Sequence, residues 1–130
     1  MDWWSELIDG APMRDGKSTP ELKRWYRKLN RMFFGGTLPD NVIVRWDADE
    51  PDVACTEKRD KDDPTAYVIG FNRKKNPTKS LLLSAMLHEM IHCATEFKDQ
   101  HGPAFDKWHK RLVRRGAFMM GAIFPDVTLF

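Results

Sequence analysis

The segment from Thr78 to about Phe97 constrains the fold more than any other part of the chain. Leu82, Leu83, Met86, Leu87, Met90, Ile91 and Ala94 recur at helical spacing and spread over more than one face. A helix with so wide an apolar face must be covered on most sides, so the rest of the chain has to wrap around it. The same helix carries His88-Glu89-Met90-Ile91-His92, the pattern H-E-x-x-H. Two histidines four apart lie about 40° apart around a helix and about 6 Å apart along it. Both imidazoles therefore face one side and can meet a single ion, and neutral imidazole nitrogens at about 2.0–2.1 Å suit zinc. Glu89 points roughly 100° round the helix from His88. That sets it beside the ion, where a general base stands to take a proton from an activated water. The competing reading is two incidental histidines on a core helix. It leaves two imidazoles and a carboxylate among apolar groups without compensation, which is costly.

A catalytic zinc site has three protein ligands and one open position. Glu96 continues the stripe, but it lies about 12 Å along the helix from His88, too far for one ion. His101 follows the helix end, where the chain can turn back, and is the leading third ligand. His109, Asp99 and Asp106 are the alternatives; for His109 a surface or outer position on the next helix is preferred. Thr95 and Lys98 stand where the metzincin spacing needs glycine and histidine, which excludes that class. The H-x-E…P-C-x-x-C pattern of zinc deaminases is absent as well.

The remaining segments predict an α+β domain. Residues 1–17 read as a loose N-terminal arm with Trp3 and Trp4, and 18–130 as the folded domain. Ser18 and Glu21 have capping-box spacing ahead of a first helix, with Pro20 in its first turn. Leu22, Trp25, Leu29, Met32 and Phe33 form its apolar face, Lys23, Arg24, Arg27, Lys28 and Arg31 its surface, and Gly35-Gly36 its end. Three short β-rich runs follow at 42–46, 53–56 and 66–71. Pro103 starts a third helix with Phe105, Trp108, Leu112 and Val113 on one face, and Gly116 ends it. The apolar tail 117–130 is expected to pack back on the domain.

These residues resemble a known family. Asn30-x-x-Phe33-Phe34-Gly35-Gly36-x-Leu38-Pro39, a strand ending in Trp46, the H-E-x-x-H helix, and His101-Gly102-Pro103-Ala104-Phe105 occur in the order of the SprT-like metallopeptidase domain of SprT and Spartan proteins. The resemblance covers about residues 20–115. It implies a zincin-like single domain: an N-terminal helix, a small three-stranded sheet, the buried H-E-x-x-H helix and a following helix that carries or adjoins the third ligand. It also implies one zinc ion on His88, His92 and His101, with Glu89 catalytic. The implied activity is cleavage of protein substrates, including DNA-bound or DNA-crosslinked ones. An extended substrate is expected to add to a sheet edge near Ala66–Phe71. The alternatives are a zinc amidase, or a non-proteolytic zinc- or DNA-binding protein that keeps the fold; an intact Glu89 argues against the latter. Longer relatives carry a cysteine-rich zinc ribbon, for which this sequence has no C-x-x-C pair. Compact members occur in phage genomes, and a length of 130 residues fits one.

Charge and cysteine content narrow the setting. The net charge is +2, but the basic residues cluster in 23–31, 73–79 and 107–115, and the acidic ones in 2–15 and 47–63. Basic clusters near tryptophans make DNA a candidate partner, set against the plainer reading of solvated helix faces. Cys55 and Cys93 are too few for a disulfide framework, and both read as small hydrophobes rather than redox groups. The acidic start lacks the basic region of a secretory signal, and no run approaches the ~20 apolar residues of a membrane span. A cytoplasmic protein is expected.

Overall fold

The computed structural model describes residues 17–59, 62–63, 66–97 and 100–119. Most of the N-terminal arm, with both its tryptophans, and the tail beyond Met119 lie outside these residues, as does Asp99. Among the described residues, three helices and a three-stranded sheet make up an α+β fold: α1 (Pro20–Phe33), β1 (Ile43–Trp46), β2 (Ala54–Lys58), β3 (Tyr67–Phe71), α2 (Lys79–Thr95) and α3 (Pro103–Arg114). A short 3-10 turn, Ala117–Met119, follows.

Helix α1 buries Leu22, Tyr26, Leu29 and Phe33, a stripe at helical spacing. The stripe is rotated slightly from the expected one. Met32 is exposed, Trp25 is only half-buried, and Tyr26 takes the core position, its hydroxyl donating to Pro39 O at 2.6 Å. Lys23, expected at the surface, is buried, with its ammonium bonded to the carbonyls of Asp40 and Val42. The loop after α1 folds on Asn30. Its amide donates to Leu38 O and its carbonyl oxygen accepts from Leu38 N, both at 3.1 Å. The intervening reversal uses Gly35 and Gly36 at φ 64° and 72°, a conformation that glycine adopts without a Cβ clash.

Ser18 does not cap α1. Its Oγ accepts from Val44 N at 3.0 Å, Thr19 Oγ1 accepts from Trp46 N at 3.2 Å, and Thr19 N donates to Val44 O at 2.9 Å. The two hydroxyl residues cover the outer edge of β1, whose amides would otherwise be unpaired. The sheet order is β1-β3-β2, with β1 parallel and β2 antiparallel to β3. This corrects the expected substrate edge: β3, which takes up residues 67–71 of that run, is the central strand, paired on both sides, and among the described residues the open edge belongs to β2. The mostly apolar run Ala66–Phe71 is what a strand needs to sit between two neighbours.

Helix α2 lies at the centre, as its composition requires. Eleven of its 17 residues are buried, so it is covered on most sides. Thr78 caps its start by accepting from Leu81 N at 3.2 Å. In α3, Phe105 and Leu112 are buried and Trp108 half-buried against Phe34, whereas Val113 faces solvent. Of the tail, Ala117 is buried and Phe118 packs on the core.

Candidate metal centre

Helix geometry brings His88 and His92 to one face of α2, their ring centroids 5.2 Å apart. His101 arrives from the turn between α2 and α3. Helix α2 stops because Glu96 and Phe97 take left-handed backbone angles (φ 53° and 58°), with Phe97 N bonded to His92 O at 3.1 Å. Gln100 is left-handed as well, at φ 57°. The reversal brings the His101 ring centroid within 5.0 Å of His88 and 4.9 Å of His92. One ring nitrogen from each of the three histidines lies within 4.8 Å of the others, and His88 Nε2 and His101 Nε2 are 3.1 Å apart. Burial and neighbouring imidazoles hold the His88 pKa down to about 4, and burial followed by His101 lowers that of His92. Both rings are therefore neutral near pH 7 and can offer lone pairs. The three clustered ring nitrogens fit a tetrahedral zinc ion, whose nitrogen ligands at about 2.0–2.1 Å stand a little over 3 Å apart.

Glu89 is outside the donor cluster and beside it. The residue is 8% exposed. Its Oε1 accepts from the Thr56 hydroxyl at 2.7 Å, and its Oε2 lies 4.0 Å from His88 Nε2. Burial raises its pKa, and the Thr56 hydrogen bond opposes that rise. The sequence alone did not mark Thr56. It sits on β2, 33 residues before its partner, and only the pairing of β2 with the rest of the sheet places it over α2. Nor does the sequence show what Phe105, on the apolar face of α3 and at the end of the His101–Phe105 block, packs against. Its ring centroid lies 4.9 Å from His88, 4.9 Å from His92 and 4.8 Å from His101, so one aromatic ring packs against all three imidazoles. Phe97 stacks on His92 at 5.1 Å with the planes 3° apart.

The other candidates stand apart. His109 lies tilted against Phe118, with ring centroids 4.9 Å apart, and stacks with Phe105 at 6.3 Å. Asp106 pairs with Lys110 at 3.0 Å, and Glu96 is exposed at the helix end. Neither cysteine joins the cluster: burial pushes the Cys93 thiol up to about 12 and that of Cys55 to about 11.

The profile of the SprT-like family matches residues 22–120, most of the chain. The chain belongs to the SprT-like family. The matched span of this SprT-like domain includes all but the first two residues of α1, the whole sheet, the histidine cluster and the 3-10 turn. Membership suggests a domain of the metallopeptidase type, with which a metal at the three histidines agrees. No curated protein and no solved structure matches the chain significantly. Among the described residues, no helix is long and apolar enough to cross a membrane.

Proposed function

We propose that this SprT-like domain is a zinc-dependent endopeptidase with a zincin-like catalytic centre, acting on protein substrates. The observation that carries the reading is the convergence of three imidazole donors with a carboxylate beside them that is not a donor of the cluster. A purely structural site needs no such carboxylate, and a buried one is costly to keep. His88, His92 and His101 would hold the ion, which when bound supplies Lewis acidity to the scissile carbonyl and to water.

The chain's own groups account for the rest. The Thr56 hydroxyl occupies Oε1 of Glu89 and so turns Oε2 toward the histidine side. Oε2 takes the proton of the attacking water and passes it to the leaving amine. The raised pKa makes Glu89 a stronger base than an exposed carboxylate. Strand β2, at the sheet edge and along α2, offers backbone groups for an extended peptide.

Incubating the zinc-loaded protein with an unstructured protein such as casein tests this. The parent should cut it, while Glu89→Gln should bind zinc equally and cut at less than about one-hundredth of the rate. Equal cleavage by the variant removes Glu89 as the base.

DNA-bound protein is the substrate class we favour. Arg73 and Lys74 line a hollow of about 560 Å³ with Trp46, and Lys107, Arg111, Arg114 and Arg115 line another of about 280 Å³. Single-stranded DNA should bind the parent more weakly as salt rises; no binding at low salt excludes this partner.

A further inference from the structure

A groove of about 560 Å³ runs from the catalytic residues toward the N-terminal end of α2. One wall is a single face of that helix, Leu81, Ser84, Ala85 and His88, spaced 0, 3, 4 and 7. Two small side chains, Ser84 and Ala85, lie between Leu81 at one end and His88 at the other, and the depression is the room they leave. Val53 and Ala54 form the facing wall. Ala54 lies two residues before Thr56 on β2, hence on the same side of the sheet, the side toward α2. Leu81 is 51% exposed and Val53 44% exposed, two of the five large hydrophobic side chains exposed among the described residues. Apolar groups held open on either side of a hollow gain when a third apolar group covers them. Besides the neutral His88, the ionisable groups lining the groove are Asp52 and Glu89, both acidic.

We infer that this groove is a specificity subsite. It takes one aliphatic side chain of an extended peptide and favours a lysine or arginine beside that residue, next to Asp52. The inference rests on the endopeptidase reading above and names which peptides that site selects. The occupant follows from the groove's position. It opens onto His88 and Glu89 and borders Ala54, the first residue of the edge strand β2, so the end of a strand lying on β2 directs a side chain into it. A glycine leaves the Val53 and Leu81 surfaces wet. A leucine covers them, and burying most of such a side chain corresponds to about ten-fold in affinity.

Peptide binding to the zinc-loaded Glu89→Gln protein tests this without needing turnover. The probes are fluorescein-labelled octapeptides of alanine and serine with one lysine, in pairs that differ by leucine or glycine next to the lysine. Fluorescence polarisation should show the leucine peptide bound about ten-fold more tightly. Adding Ser84→Phe, which fills the depression, should abolish the difference. Asp52→Lys should reduce the advantage of lysine over alanine. Equal binding of leucine and glycine peptides overturns the subsite. A leucine preference that survives both Ser84→Phe and Leu81→Glu places it elsewhere and overturns it too. If the leucine preference follows the groove variants but the parent cleaves neither peptide nor casein, the subsite stands and the peptidase reading fails.

Discussion

Thr56 shows how much a single side chain contributes to this centre. A buried carboxylate accepting one short hydrogen bond keeps one orientation; without it, Glu89 would be free to rotate and would be harder to ionise. Replacing Thr56 by alanine should therefore lower kcat/KM about ten-fold, the worth of a hydrogen bond to a charged group. Zinc content should not change, because Thr56 touches no histidine of the cluster; metal analysis alongside the kinetics separates the two. Cys93 makes the opposite case. It lies one turn beyond Glu89 on α2, but burial holds its thiol at about 12. At pH 8 only about one molecule in ten thousand is thiolate. Native protein treated with iodoacetamide should stay unmodified at Cys93 over hours, whereas urea-unfolded protein should react within minutes, as mass spectrometry of the digested peptides would record.

At the scale of elements, the α2–α3 connection does the most. Among its described residues, Glu96, Phe97 and Gln100 adopt left-handed angles despite carrying side chains. Each costs on the order of 1 kcal/mol relative to glycine. Phe97 offsets its cost by stacking on His92, and the exposed Glu96 side chain makes no comparable contact. Glu96→Gly should therefore stabilise the protein by about 0.5–1 kcal/mol, net of the greater freedom of glycine in the unfolded chain. A melting temperature raised by a few degrees is the expected reading; a fall would mean that the Glu96 side chain supports the turn. The edges of the sheet show a second division of labour. Ser18 and Thr19 close the β1 side, and among the described residues β2 remains as the open edge, beside the carboxylate it positions.

At the scale of the molecule, the three histidines join a central helix to the connection that leads into α3. A bound ion would tie these parts together, and its binding energy would add to folding stability. At zinc concentrations about 100-fold above the dissociation constant, the gain is about 2.7 kcal/mol. The melting temperature should rise by about 10 °C on adding zinc and fall back with a chelator. In His101→Ala most of that rise should vanish, while the metal-free melting temperature changes little because His101 is exposed. An unchanged response in that variant moves the third ligand to another residue.

What the sequence determined by itself is local. The wide apolar face of α2, the shared side of His88 and His92, the glycine turn after α1 and the proline start of α3 all follow from spacings of a few residues, which helix and turn geometry convert directly into positions. Even the proximity of His101 was open to inference, since a reversal just past a helix end returns the chain to that helix. The tertiary structure alone decided which strand lies at the centre, which hydroxyl meets Glu89, and that Phe105 packs against three imidazoles. It also moved Ser18 from a helix cap to a strand edge, and Lys23 from the surface to two buried carbonyls. These are pairings between distant segments. No periodicity within either segment specifies them, because strand order and register are chosen by how the sheet packs against α2.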